Sequence, residues 1–457
     1  MQTVQAYRFA LDLTPGQERA LFDHAGAARK AYNWALGRVK AVLDQRSAER
    51  SYSIADELLT PAMGWSLPAL RRVWNAEKGL VAPWWRDVSK EAFNTGLDAL
   101  ARGLKQWSDS RRGVRAGRPV GFPRFKAKHR STPSVRFTTG AIRVEPDRKH
   151  VVLPRSGRLK LHESARKLAR RIDNGTARIM SATVRRDGGR WFVAFTVTID
   201  RVERVPARPG SVVGVDVGIR HLAVLSTGEL VANPRHLDAV RVRLRALGRV
   251  LSRKRGPDRR AGRKPSKRWL RASARLGRAH ARVANLRRDG LHQLTTRLAR
   301  TFGTVVVEDL NVVGMLANRR LAQRIADAGF GEIRRQLAYK TVWNGGRLLV
   351  ADRWFPSSKT CSRCGVVKAK LPIHERTFTC AVCGTSLDRD VNAARNLAAH
   401  ATIMVAAQED SAGSGPVAGR GASRKTHPGG QEAKKRQPGT APADQTGTVQ
   451  SQDRTAA

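Results

Sequence analysis

All four cysteines of the chain fall in one short window, as Cys361-x2-Cys364 and Cys380-x2-Cys383 with 15 residues between the pairs. That spacing builds a zinc ribbon of two facing knuckles, and it constrains local geometry more tightly than any other pattern in the sequence. Gly365 and Gly384 follow the two pairs, where each knuckle must turn sharply. Four thiolates complete a tetrahedral shell and leave no open position for substrate. The predicted Zn2+ is therefore one structural ion, and His374 between the pairs reads as a surface residue. Clustering of this kind is metal-site spacing rather than a disulfide scaffold, and no thioredoxin-like context supports two redox pairs.

A ribbon of this size cannot account for the rest of a 457-residue chain, which has room for two to four domains. Its partner class is set by charge. There are 86 Lys and Arg against 37 Asp and Glu, a net charge of +49. Such an excess favours contact with a polyanion through counterion release, and nucleic acid is the first candidate. A membrane-surface protein would also be basic, and a GC-rich coding sequence enriches arginine, but the latter does not suppress acidic residues. No run of about 18 apolar residues marks a transmembrane helix, and the first residues lack the apolar stretch and cleavage site of a signal peptide. The expectation is a bacterial cytoplasmic protein, associated with the nucleoid when bound to DNA.

Patterning divides the chain. "QTVQAYRFAL" alternates like a strand, and Thr14 before Pro15 then starts a helical block over 11–118. Residues 119–205 are β-rich, with a hairpin turning at Asp187-Gly188-Gly189. With 1–10 they form one β unit that encloses the helical block as an insertion. After a linker, 206–350 reads as three strands, a long basic helical pair over 239–300, a strand, a helix at about 319–340 and another strand. The cysteine region (351–383) interrupts this unit, and a last helix resumes it over 384–403. Residues 404–457 hold almost no large apolar residue and read as a disordered tail.

Three carboxylates stand out in the second half. In "VVGVDVGIR", Asp216 shares a strand face with Gly214, and with Gly218 the small neighbours suggest room for a metal and a phosphate backbone. An aspartate amid apolar residues costs free energy unless it has a partner. Glu308 ends the strand "TVVVE", with Asp309 on the opposite face. Asp390 lies in the first turn of the last helix, where the helix dipole favours an anion, although Asp390 or Asp388 is equally suited to be an ordinary N-cap. Their order, on the first strand, the fourth strand and the last helix of a β-β-β-α-β-α-β-α pattern, is the argument for one shared site. Carboxylates converging at one sheet end can hold two Mg2+ ions for phosphodiester hydrolysis.

The stretches "GVDVGIRHLAVLSTG", "VVVEDLNV", "WFPSSKTCSRCG" and "CAVCGTSLDRDVNAARNL" resemble the TnpB family, RNA-guided nucleases of insertion sequences related to type V CRISPR effectors. "TPGQERALFDHAGAARKAYNWAL" and "GFPRFKAKHR" extend the likeness, which spans residues 1 to about 400. The resemblance implies a multidomain α+β protein. An RNase H-like (RuvC) α/β nuclease domain, 206–350 and 384–403, would carry the inserted zinc ribbon. A β-barrel wedge domain, 1–10 and 119–205, would carry an inserted helical recognition lobe, 11–118. It further implies Asp216, Glu308 and Asp390 as the Mg2+-binding catalytic triad, Asp390 being the Asp two before Asn392. Guide RNA from its own locus, and target DNA in double- and single-stranded form, are the implied partners. One departure is Gly290 within a helix, a cost of about 1 kcal/mol that leaves the triad untouched.

Among the cations, Arg271, Arg275, Arg278 and Arg282 recur at i, i+4, i+7 and i+11, a stripe suited to tracking phosphates or simply a solvated face. Lys359 precedes the first cysteine pair on the expected active-site side. Trp74, Trp84 and Trp85 fit core packing better than base stacking. The leading expectation is a Mg2+-dependent, RNA-guided DNA endonuclease. A DNA transposase working without a guide and a non-catalytic nucleic-acid-binding regulator share the same charge, and the first of these shares the triad.

Overall fold

The computed structural model describes residues 1–412 except 129, 259 and 373. The chain divides into two compact units, Met1–Met404 and Val405–Ala457, and the architecture that follows is that of the first, with only the end of its last helix falling in the second.

Strand β1 (Gln2–Asp12) leads into α1 (Pro15–Ser51), and the junction is written in the sequence. Thr14 accepts a hydrogen bond from the Gln17 N–H while the Gln17 side chain accepts one from the Thr14 N–H, a reciprocal cap with Pro15 opening the helix. Helices α2 (Leu67–Val81) and α3 (Lys90–Arg111) complete the helical block. Strands β2 (Ser134–Phe137), β3 (Arg143–Val144), β4 (His150–Leu153) and β5 (Gly157–Leu161) follow. Helix α4 (Arg166–Asp173), unforeseen in the β unit, separates them from β6 (Ala177–Asp187) and β7 (Arg190–Asp200). The β6–β7 turn is tighter than expected. Asp187 pairs with Arg190, leaving only Gly188 and Gly189, both at positive φ, in a two-residue turn.

These seven strands form one antiparallel sheet in the order β2-β6-β7-β1-β5-β4-β3. β1 pairs with β7 from Gln2 to Ala10, and its last two residues pair with β5. A β-barrel was expected here; among the described residues no ladder joins the edge strands β2 and β3. Helical block and sheet share one core, in which Leu21, Leu36, Trp74 and Leu97 pack with Val135, Phe137 and Phe195.

The second sheet contains β8 (Arg208–Asp216), β9 (His221–Leu225), β10 (Leu230–Ala232), β11 (Phe302–Glu308) and β12 (Arg347–Ala351). Its order is β10-β9-β8-β11-β12, with β8, β11 and β12 mutually parallel and the first two strands antiparallel. Between β10 and β11 lie α5 (His236–Ala239), α6 (Arg241–Ser252) and α7 (Lys267–Thr301). Between β11 and β12 lie α8 (Val312–Ala317), α9 (Ala322–Ala328) and α10 (Phe330–Trp343). The single helix expected at 319–340 is thus two. Gly329 adopts the left-handed region (φ +71°), ending α9 and reorienting the chain into α10.

One face of this sheet buries Val213, Val215, Val305 and Val307 against α7, α9 and α10 through Leu294, Leu298, Ile325, Ile333 and Leu337. The short hairpin β13 (Thr377–Thr379) and β14 (Ser386–Asp388) belongs to the cysteine region and runs directly into α11 (Arg389–Ala412). The last helix therefore reaches beyond its expected end at 403, and the rest of the predicted tail lies outside the described residues.

Candidate active site and metal centre

The parallel register of β8 and β11 sets the first two carboxylates. Gly214 pairs with Val306 and Val215 with Val307, so the next step of the register brings Asp216 level with Glu308. Both strands run the same way, and both end at this edge. Strand side chains alternate, so Gly214, Asp216, Val306 and Glu308 share one face, opposite the valines packed on α7 and α10. Asp309, on the other side of Glu308, is taken up by Arg334 and Arg353, whose guanidiniums hold its carboxyl below the usual range.

What occupies the Gly214 face corrects the sequence expectation. A Cβ at Gly214 would stand 1.9 Å from the Ala394 carbonyl oxygen and 2.7 Å from the Ala398 nitrogen. The glycine clears space for the backbone of α11, not for metal and phosphate. Ala394 and Leu397 are fully buried in this close packing. The same approach that demands a glycine at 214 carries the first turn of α11, with Asp390, toward the end of β8.

The hydrogen bonds at the start of α11 separate the two aspartates. Asp388 accepts from the backbone N–H groups of Asp390 (2.8 Å) and Val391 (3.1 Å), which is cap work. Asp390, in the first helical turn, contributes its charge to Asp216 instead. The Asp216 carboxyl is pushed up to about 8, first by burial, then by the negative charges of Glu308 and Asp390; Asp388 adds to this and Arg389 opposes it. Such crowding of unneutralised carboxylates is what a bound cation relieves. Among the described residues, only the four cysteines bring three or more donor atoms all within 4.8 Å of one another, so at least one pair of the triad is set wider than that.

The four sulfurs fit zinc directly. Cys361 and Cys383 Sγ are 3.6 Å apart, as are Cys364 and Cys380 Sγ, close to the roughly 3.8 Å edge of a tetrahedron with Zn–S bonds of about 2.3 Å. Both knuckles close identically. The N–H of Cys361 donates to Val366 and that of Gly365 to Cys361, and Cys380–Thr385 and Gly384–Cys380 repeat the pattern. Gly365 and Gly384 sit at φ +79° and +68°, as the sequence predicts. The Thr385 hydroxyl lowers the Cys383 thiol, whereas contacts with the three neighbouring sulfurs push Cys364 up, so four close sulfurs share protons that a cation would displace. His374 is exposed.

The expected nucleic-acid contacts divide. Arg271, Arg275, Arg278 and Arg282 are all exposed along α7, and the last three line a groove between α6 and α7 together with Arg243. Lys359 is engaged within the ribbon: its ammonium donates to the Ala369 carbonyl at 3.2 Å and its own carbonyl accepts from Lys368. Trp74 is buried against Trp34 and Phe93, Trp84 lies half-exposed beside Phe93, and the Lys78 ammonium sits over the Trp85 ring. A set of residues that sequence reasoning passed over lies beside Glu308. Ser357 donates to its carboxylate, and Asn392, Asn396 and His400 of α11 hold the chain around Ser357. Their signal was present as three polar side chains spaced by four in an alanine-rich helix.

Comparison with known proteins places the whole chain in a family. A "Probable transposase" family model matches residues 194–319, a "Cas12f1-like, TNB domain" model matches 330–397, and a "Helix-turn-helix domain" model matches 1–47. A Mycobacterium tuberculosis protein named "Putative RNA-guided DNA endonuclease Rv2885c" is 41% identical over 94% of this chain and 94% of its own. The chain belongs to the TnpB family. Two further members named in the same way, from Streptomyces pristinaespiralis and Escherichia coli, are 35% and 28% identical over 87% and 90% of the chain, and over 89% and 95% of their own lengths. The family match runs through the β8–β11 sheet and the cysteine region alike, the two places where the carboxylates and thiolates gather. No helix among the described residues is long and apolar enough to cross a membrane.

Proposed function

We propose that this chain is an RNA-guided DNA endonuclease of a transposable element, hydrolysing phosphodiester bonds of target DNA beside a short flanking motif. The observation that carries the proposal is the parallel register of β8 and β11, which ends Asp216 and Glu308 at one edge beside the first turn of α11. Relatives named as RNA-guided DNA endonucleases, aligned over nearly the whole chain, support the same activity. Asp216, Glu308 and Asp390 are the residues that would hold Mg2+, which when bound would supply activation of a water nucleophile and stabilisation of the leaving oxygen. Burial and the neighbouring charges of Glu308 and Asp390 make a charged Asp216 costly when no cation is bound, a cost that a bound cation would offset.

Cys361, Cys364, Cys380 and Cys383 hold one structural Zn2+ in this proposal. Their closure fixes β14, and β14 passes without a linker into the helix that bears Asp390. The net charge of +49 suits a guide RNA from its own locus and target DNA, both double- and single-stranded. Residues 1–10 and 119–205 act as the wedge, and 11–118 as the recognition lobe, gripping RNA and reading the flank. The exposed arginines 271, 275, 278 and 282 on α7 track backbone phosphates, and the site of action is the bacterial cytoplasm.

The test is cleavage of a plasmid library carrying a randomised flank beside a fixed target, by protein co-expressed with its RNA in the presence of Mg2+. Flank-dependent cutting that vanishes in Asp216→Ala is the expected result. Cutting or joining that needs no guide would identify a transposase, and tight RNA binding with no cutting would identify a regulator.

A further inference from the structure

The segment between β12 and the first knuckle is bolted to α11 along one helical stripe. Asn392, Asn396 and His400 recur every four residues and therefore share a face. The Asn392 side chain donates to the Thr360 carbonyl (2.7 Å) and accepts from the Ser362 N–H (2.9 Å). Asn396 donates to the carbonyls of Ser357 (2.7 Å) and Thr360 (2.6 Å). The His400 ring stacks on Phe355 with centroids 4.2 Å apart and planes 15° from parallel. Asn392 and Asn396 are 0% and 5% exposed, so these are bonds whose loss leaves buried polar groups without partners.

What this clamp presents is a hydroxyl. Ser357 is buried, its carbonyl is held by Asn396, and its Oγ donates to Glu308 Oε1. A hydroxyl bond to one of its two oxygens restrains the rotation of the Glu308 carboxylate. A support of this kind, one bond behind a metal-binding side chain, is what fixes the direction in which that side chain presents its donor atoms.

We propose that Ser357 is the positioning residue for Glu308, and that the Asn392–Asn396–His400 stripe is the clamp through which the folded cysteine knuckle sets the orientation of that carboxylate. This rests on the proposed metal site. The ribbon then acts on both flanking acids, on Asp390 through β14 and on Glu308 through the segment ahead of Cys361. Deleting the hydroxyl alone is a clean change, because the backbone carbonyl that Asn396 grips remains.

The experiment measures Mn2+ bound by the full RNA–protein complex, by electron paramagnetic resonance, taking the Asp216→Asn complex as the background due to RNA. Zinc content and melting temperature are followed in parallel. Ser357→Ala is expected to keep its zinc and its melting temperature while weakening the site's Mn2+ affinity about 10-fold or more, the usual effect of removing a support to a metal ligand. Ser357→Thr, which keeps a hydroxyl, is expected to restore most of the affinity. Asn396→Ala should weaken Mn2+ binding as Ser357→Ala does, and, because the two act along one path, the double variant should be no weaker than either single variant. Unchanged Mn2+ affinity in Ser357→Ala, with Asp216→Asn lowering it, overturns the positioning role and leaves the metal site standing. If Asp216→Asn itself binds as much Mn2+ as the parent, the metal site is refuted and the positioning role with it.

Discussion

Two buried or half-buried carboxylates, Asp216 and Glu91, show how neighbours decide what burial does. Glu91, at the start of α3, is also pushed upward by burial, yet ends below the ordinary glutamate value. It accepts from the Thr138 hydroxyl (2.6 Å) and N–H (3.0 Å), the Thr139 hydroxyl (3.1 Å) and the Asn94 amide (3.3 Å). It ties the helical block to the segment after β2, so its stabilisation is present above about 4.5 and lost as pH falls below it. Glu91→Gln is expected to cost about 1–2 kcal/mol at neutral pH, read as a lower denaturant midpoint, with the deficit shrinking in acid. Asp216 has the opposite sign. With its carboxyl raised from 3.8 to about 8, the stabilisation from holding a proton is full below 3.8 and gone above about 8. Without divalent cation, Asp216→Asn should therefore melt higher than the parent at pH 8, and added Mg2+ should raise the parent alone. Equal melting points at pH 8 would contradict the electrostatic account. The valine–aspartate alternation around 216 was legible in the sequence, because a charge inside an apolar strand stands out. Ser357 was not, because a serine bonded to a distant glutamate leaves no local signature.

At the scale of elements, glycines divide by what stands over them. Gly214 faces the Ala394 carbonyl at 1.9 Å from where a Cβ would be, and that neighbour is backbone. Gly214→Ala must displace α11, at a cost of about 1–3 kcal/mol for overpacking, and should lower cleavage because the displaced helix carries Asp390. Gly290, in the middle of α7, has nothing within 4 Å of such a Cβ. Gly290→Ala is expected to stabilise by about 1 kcal/mol, the helix-propensity difference, with cleavage unchanged. Thermal melts and cleavage rates of the two variants check both signs. Most elements were readable from period and caps, as the Thr14–Gln17 pair at α1 illustrates. The misreadings have physical causes. The α9–α10 break depends on one glycine taking positive φ, and a glycine beside an aspartate looks the same whether it makes room for a ligand or for a helix.

Across the whole molecule, zinc is the test of whether the ribbon supports catalysis or merely hangs from the fold. Cys380→Ser is expected to lose the metal and most nuclease activity, while Phe9, Leu97 and Phe195 in the separate first core keep the amino-terminal half folded. Metal analysis with limited proteolysis reads both, and full activity without bound zinc would contradict the structural role. The domain order was visible in composition, since strand, helix and cation patterns change sharply along the chain. The strand order of the seven-stranded sheet was not visible, because it depends on which edges meet in space rather than on the pattern within any strand. If base pairing with a bound RNA directs the proposed carboxylate metal site to DNA, exchanging the guide must redirect it. The complex is purified with the RNA segment that pairs to the target replaced, and offered the old and new targets beside the same flank with Mg2+. Cleavage is expected to move to the new target and to be abolished by RNase treatment, and Asp216→Ala is expected to cut neither. Cleavage that stays on the old target, or survives loss of the RNA, would contradict direction by the RNA.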